Sequence, residues 1–76
     1  MSFNEIIESL EILKEEVGLP KNLKIKINQI MKILLNDEES EEIRSHKAET
    51  ILEEMSSDTS LQSFVRTQIY QITSLM

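Results

Sequence analysis

The chain has no cysteine and no tryptophan, and only one glycine and one proline in 76 residues. Without cysteine there are no disulfides and no thiolate metal sites, which fits a reducing compartment. Gly18 and Pro20 alone are too little turn material for many short strands, so a helical chain is expected. Two Phe and one Tyr leave little with which to stack nucleic-acid bases. No apolar run approaches the ~18 residues that span a bilayer. The N-terminal "MSFNEIIESL" lacks the basic region and apolar core of a signal peptide. A cytoplasmic location is the resulting expectation. Glycine-rich phosphate loops, nucleophile–base pairs and metal-ligand clusters are also missing, so neither an enzyme nor a cofactor or metal site is expected.

What is present is a small globular composition. Hydrophobic residues make up 39% of the chain, mainly Ile, Leu and Met. A domain of this size has a radius of gyration of roughly 11 Å. It buries only about 60% of its unfolded surface, so modest stability is expected. The net charge is −6, but it is unevenly spread. Residues 1–18 carry five acids and one Lys, and residues 19–35 carry four Lys and no acid. Residues 36–59 carry nine acids and two bases, and beyond them Arg66 is the only charged residue.

Apolar spacing predicts four helices. In the first, Ser2 and Glu5 have the spacing of a capping box, and Ile6, Leu10, Leu13 and Val17 form one stripe. Gly18 supplies a left-handed stop. Pro20 suits the first position of the second helix, where a missing N–H costs nothing. Its stripe is Leu23, Ile27, Ile30 and Leu34, widened by Ile25, Met31, Ile33 and Leu35, so this helix is expected to be the most buried. Asp37 or Ser40 caps the third helix, whose stripe is Ala48, Ile51, Leu52 and Met55. Asp58, Thr59 or Ser60 caps the fourth, with Leu61, Val65, Ile69 and Ile72 as its stripe and Phe64 and Leu75 beside it.

A repeat runs through this pattern at an offset of 42. Leu10 matches Leu52, Leu13 Met55, Leu19 Leu61, Leu23 Val65, Lys24 Arg66, Ile27 Ile69, Gln29 Gln71 and Ile30 Ile72. Between residues 4–34 and 46–76, six of 31 pairs are identical, and the breaks "EEVGLPKN" and "SSDTSLQS" coincide. A lone hairpin of two short helices leaves its apolar faces wet, whereas two packed together cover them. The expected fold is an all-α, antiparallel four-helix bundle built from two repeated helical hairpins, at about residues 3–35 and 41–75 of one domain.

"LPKNLK" (19–24), "TILEEMSSD" (50–58) and "VRTQIYQI" (65–72), in this order and spacing, resemble a small archaeal family, uncharacterised protein family 0147. The resemblance covers nearly the whole chain. Family members read V-P-R-N-V-R, then I-L-E-E-I with a D-P turn, then A-R-T-x-I-W-Q. This chain departs from the pattern at Glu16–Val17, where a D-P pair is usual. It departs again at Thr59 and Gln62, which replace prolines, and at "SEEIR" in place of S-P-G-V-R. The resemblance implies a compact helical fold and no particular activity.

Four groups of side chains are candidate sites. Lys21, Lys24 and Lys32 share a face of the second helix around Asn28, with Lys26 apart. This stripe suits phosphate, although a bundle neighbour rich in Glu would neutralise it. Glu38, Glu39, Glu41 and Glu42 lack the glycine and the D-x-D-x-D pattern of a calcium loop. His46 stands among Glu42, Glu49, Thr50 and Glu53, the setting of a surface side chain. The fourth helix is unusual because only Arg66 is charged. Phe64, Arg66, Tyr70 and Gln71 therefore form the candidate interface, since charge depletion with Tyr and Arg retained is the composition of an interface core. The expected function is a non-catalytic helical interaction module whose partner is a protein, including a second copy as a dimer. The alternative is an accessory protein of an RNA or ribonucleoprotein complex, acting through the lysine stripe. A membrane partner is not expected.

Overall fold

The computed structural model describes residues 3–76, so the Ser2 half of the expected capping box lies outside the described residues. Helix α1 is Asn4–Lys14, α2 is Lys21–Leu35, α3 is Glu41–Ser56 and α4 is Ser63–Ser74. Phe3 precedes α1, and its carbonyl accepts from the Ile7 N–H at 2.9 Å.

Helix α1 stops three residues before the expected stripe ends. The Glu15 N–H bonds the Ile12 carbonyl and the Glu16 N–H bonds that of Leu13, so the last turn tightens to the i→i+3 pattern. Helical spacing then no longer applies to Val17, which is 93% exposed rather than buried. Gly18 has φ +87, the left-handed conformation expected of it. Pro20 has φ −57 and ψ 144 and sits at the cap itself, one residue earlier than expected. Its carbonyl accepts from the N–H groups of Leu23 and Lys24, at 3.0 and 3.2 Å.

Leu23, Ile27, Ile30 and Leu34 are buried, four side chains against three from each other helix. The expected widening of that stripe fails at two positions. Ile25 stands nearly opposite the stripe at about 100° per residue, and it is exposed, as is Leu35. Met31 and Ile33 are half-buried.

Ser40 caps α3: its Oγ accepts from the Ile43 N–H at 3.2 Å. Glu41 and Glu42 follow in the first turn, where the helix dipole favours acids. The Arg44 Nη1 reaches back to the Leu34 carbonyl at 2.9 Å, joining the end of α2 to the start of α3. The expected cap of α4 is displaced. Asp58 Oδ1 accepts from the Ser60 hydroxyl at 2.7 Å and the Ser60 N–H at 2.9 Å, closing a turn upstream of the helix. Leu61 must be buried before α4 can begin, so Gln62 takes the cap position and makes no side-chain cap bond. Arg66 completes the corner, with Nε on the Ser56 carbonyl at 3.3 Å and Nη2 on that of Asp58 at 2.7 Å.

The repeat extends to the backbone. Lys14 and Ser56 end α1 and α3, and Lys21 and Ser63 begin α2 and α4, each pair 42 residues apart. The turn bonds correspond as well. Leu19 N–H to Glu16 O matches Leu61 N–H to Asp58 O, and Lys24 N–H to Pro20 O matches Arg66 N–H to Gln62 O. Each apolar pair of the repeat is buried in both halves, as are Ile6 and Ala48 at the same offset.

The helices pack in a ring, α1 on α2, α2 on α3, α3 on α4 and α4 on α1. Close backbone approach across either diagonal is absent among the described residues. With short connections between successive helices, this is an up-down-up-down four-helix bundle, with a radius of gyration of 11.7 Å and extents of 34 × 19 × 18 Å. The pairing of α2 with α3 is the most extensive and that of α1 with α4 the least.

Candidate interaction surfaces

All buried side chains among the described residues are apolar, so the core is filled for packing alone. Several hydroxyls serve their own helices. Ser9 donates to the Glu5 carbonyl, Thr50 to His46, Thr67 to Ser63 and Thr73 to Ile69. His46 is exposed and lines a shallow depression with Glu41, Glu42, Ser45, Glu49 and Met76. Among the described residues no group of three or more His, Asp or Glu converges as a metal shell. Glu39, one of the acids before α3, holds Lys47 through both carboxylate oxygens at 2.8 and 2.9 Å.

The loose pairing of α1 with α4 leaves a groove of ≈ 400 Å³. Leu13 and Ile72 form its floor, Ile12 and Leu75 its rims, and Ser9, Gln68, Gln71 and Ser74 its polar margin, with no charged side chain. Gln68 donates through Nε2 to Glu16 Oε1 at 3.4 Å. Its Oε1 is buried and has no partner. At the groove's margin the exposed Gln71 side chain offers a guest both a hydrogen-bond donor and an acceptor.

The candidate interface residues of α4 divide into two edges. Phe64, Gln68, Gln71 and Leu75 recur at steps of four, three and four, so Phe64 and Gln71 continue the groove's α4 wall. Tyr70 lies about 120° around the axis from Phe64 and is exposed on the other edge. Arg66 shares the Tyr70 edge, but it is half-buried with its guanidinium engaged by two carbonyls. The set is thus not one continuous patch.

Lys21, Lys24 and Lys32 face solvent on the outer face of α2. No ion pair within 4 Å holds them among the described residues, so the acids of α1 do not pair with them directly. Lys14, which sequence reasoning left out of the stripe, joins it from α1 by donating to Asn28 Oδ1 at 3.2 Å. Its place in the last turn before the hairpin bend was the available signal. Lys26 stands apart and pairs with Glu54 of α3 at 3.5 Å. Ile12, 66% exposed on the groove rim, was also passed over because it lies off the buried stripe.

Comparison with known proteins gives a consistent result. The model of the Uncharacterised protein family (UPF0147) matches residues 1–76. A UPF0147 protein of Methanosarcina mazei is 31% identical over 70 residues, spanning 92% of this chain and 75% of that protein. One from Thermoplasma volcanium is 36% identical over 73 residues, spanning 95% and 81%. The crystal structure of the unknown-function protein MMP1188 superposes with a TM-score of 0.87 at 29% identity, covering 95% of this chain and 82% of that one. The motifs at 19–24, 50–58 and 65–72, the bundle and the full-length match agree: the chain belongs to the UPF0147 family, whose curated relatives here are archaeal.

Proposed function

We propose that this protein is a non-catalytic interaction module that receives a protein partner in the α1/α4 groove. The observation that carries the reading is the groove itself. Its lining carries no charged side chain, Leu13 and Ile72 floor it, and the amides of Gln68 and Gln71 stand at its margin. An apolar side chain flanked by an N–H or O–H donor fits that chemistry. The apolar core and the commitment of the Ser9, Thr50, Thr67 and Thr73 hydroxyls to helix carbonyls support a non-enzymatic role. Among the described residues no helix is long and apolar enough to cross a membrane, and the absence of cysteine supports placement in the cytoplasm.

The second reading, an accessory role in an RNA or ribonucleoprotein complex, draws on the free lysines at 21, 24 and 32. Capture from native lysate, with and without nuclease, separates the two. The first reading expects a partner that resists nuclease and is lost on Ile12→Glu with Leu75→Glu. A partner lost to nuclease and to Lys21→Gln, Lys24→Gln and Lys32→Gln, but kept by the groove variant, replaces it with the second.

A further inference from the structure

The two hairpins differ electrically. Residues 1–35 hold five acids and five lysines and are neutral, while residues 36–76 hold nine acids and three bases and carry the whole net charge. Within the neutral half the signs are largely separated, Lys14 being the one base on α1. Glu8, Glu11 and Glu15 form an exposed strip on α1, and Lys21, Lys24 and Lys32 form one on α2. Glu8, Glu11 and Glu15, at steps of three and four, and Lys21 and Lys24, three apart, place like charges next to each other, which weakens the helices by a few tenths of a kcal/mol per pair. The strips lie on neighbouring helices, yet no ion pair joins them. Ile7 and Met31, each half-buried against the core, belong to the same two helices.

We propose that this outer face of hairpin 1 binds the same face of a second copy of the chain. A two-fold axis lying in the interface, parallel to the helices, sets α1 of each copy on α2 of the other. The two-fold makes the two seams identical, as in any isologous contact, and because α1 and α2 are antiparallel each seam pairs antiparallel helices. Each acidic strip then meets a basic one. The face of hairpin 2 offers no such pairing, since α3 is acidic and Arg66 is the only charged residue of α4, so the charge distribution selects hairpin 1. The bundle is 34 Å long and 19 Å wide, so the contact falls below the roughly 800 Å² per partner of a standard complex. The dimer is therefore weak and sensitive to salt. The proposal rests on reading the chain as an interaction module but uses a different face from the groove.

The test is sedimentation equilibrium of the full chain, up to high micromolar concentration, in about 0.02 M and about 0.5 M salt. A dimer at low salt that weakens about tenfold or more at high salt is expected. Reversing one strip (Glu8→Lys, Glu11→Lys and Glu15→Lys) or the other (Lys21→Glu, Lys24→Glu and Lys32→Glu) should give monomers. Mixing the two variants should restore a heterodimer. The milder Glu11→Gln with Lys24→Gln should weaken the dimer while circular dichroism stays that of the parent. A monomer at low salt, a dimer indifferent to either reversal, or a dimer abolished only by Ile12→Glu with Leu75→Glu would overturn the proposal. So would a low-salt mobility shift with tRNA from a chain that stays monomeric. Groove-dependent capture of a partner is read separately, so losing the dimer leaves that reading standing.

Discussion

The guanidinium of Arg44 lies over the ring of Phe3, 5.1 Å from its centroid, while Nη1 holds the Leu34 carbonyl at 2.9 Å. One side chain on α3 thus fastens the start of α1 and the end of α2. Replacing it with Ala should lower the unfolding free energy by about 1–3 kcal/mol. Arg44→Lys should recover only part of the loss, because an ammonium cannot stack flat and reach the carbonyl together. Urea unfolding followed by circular dichroism measures both.

Gly18 has φ +87, and a Cβ built there meets nothing within 4 Å. The cost of Gly18→Ala is therefore conformational, about 1–2 kcal/mol. Gly18→Asn should cost less, since Asn tolerates the left-handed region. Equal loss in both variants would point to a steric cause instead.

The Ser60 hydroxyl, and then its N–H, hold the Asp58 carboxyl below its ordinary range. A pKa depressed on folding adds stability that is present above the unfolded value and is lost as pH falls through the folded one. Stability should thus fall below about pH 4, with a contribution from this carboxylate. Asp58→Asn, compared with the parent by thermal unfolding across that range, should flatten the acid limb. Ser60→Ala should do the same in part.

Leu10 and Leu52 are equivalent in the two hairpins and both fully buried. Either change to Ala should cost about 2–5 kcal/mol, a large share of the stability of so small a domain. Val17→Ala and Ile25→Ala should stay within about 0.5 kcal/mol of the parent. Midpoints of denaturant unfolding would rank the four, and a costly Ile25→Ala would mean that its face is covered in solution.

The sequence shows the stripes of this bundle clearly because helical spacing is a local property. Leu23, Ile27, Ile30 and Leu34 need only a period of 3.6 to be recognised. Val17 misleads because its spacing continues a helix that has already ended. Ile25 misleads because apolar character alone does not say which side of a helix it occupies. Ser40 is legible as a cap, standing directly before its helix. Asp58 is not, because burying Leu61 delays the next helix and leaves the carboxylate to a local turn. The placement of Gln68 beside Glu16 arises only when separate helices meet and has no sequence signature, and for Lys14 the sequence shows only its place in the last turn before the hairpin bend. The candidate interface on α4 was read from composition, which cannot reveal that Phe64 and Tyr70 lie on different edges.

The equivalence of the two hairpins has a consequence for how the chain is joined. The two hairpins correspond in their buried positions and turn bonds and are tethered by residues 36–40, and the tether acts mainly by raising the concentration of one hairpin around the other. Cutting that tether should not erase the fold but make it depend on concentration. Lengthening it with flexible residues should cost little, since closure entropy grows only slowly with length.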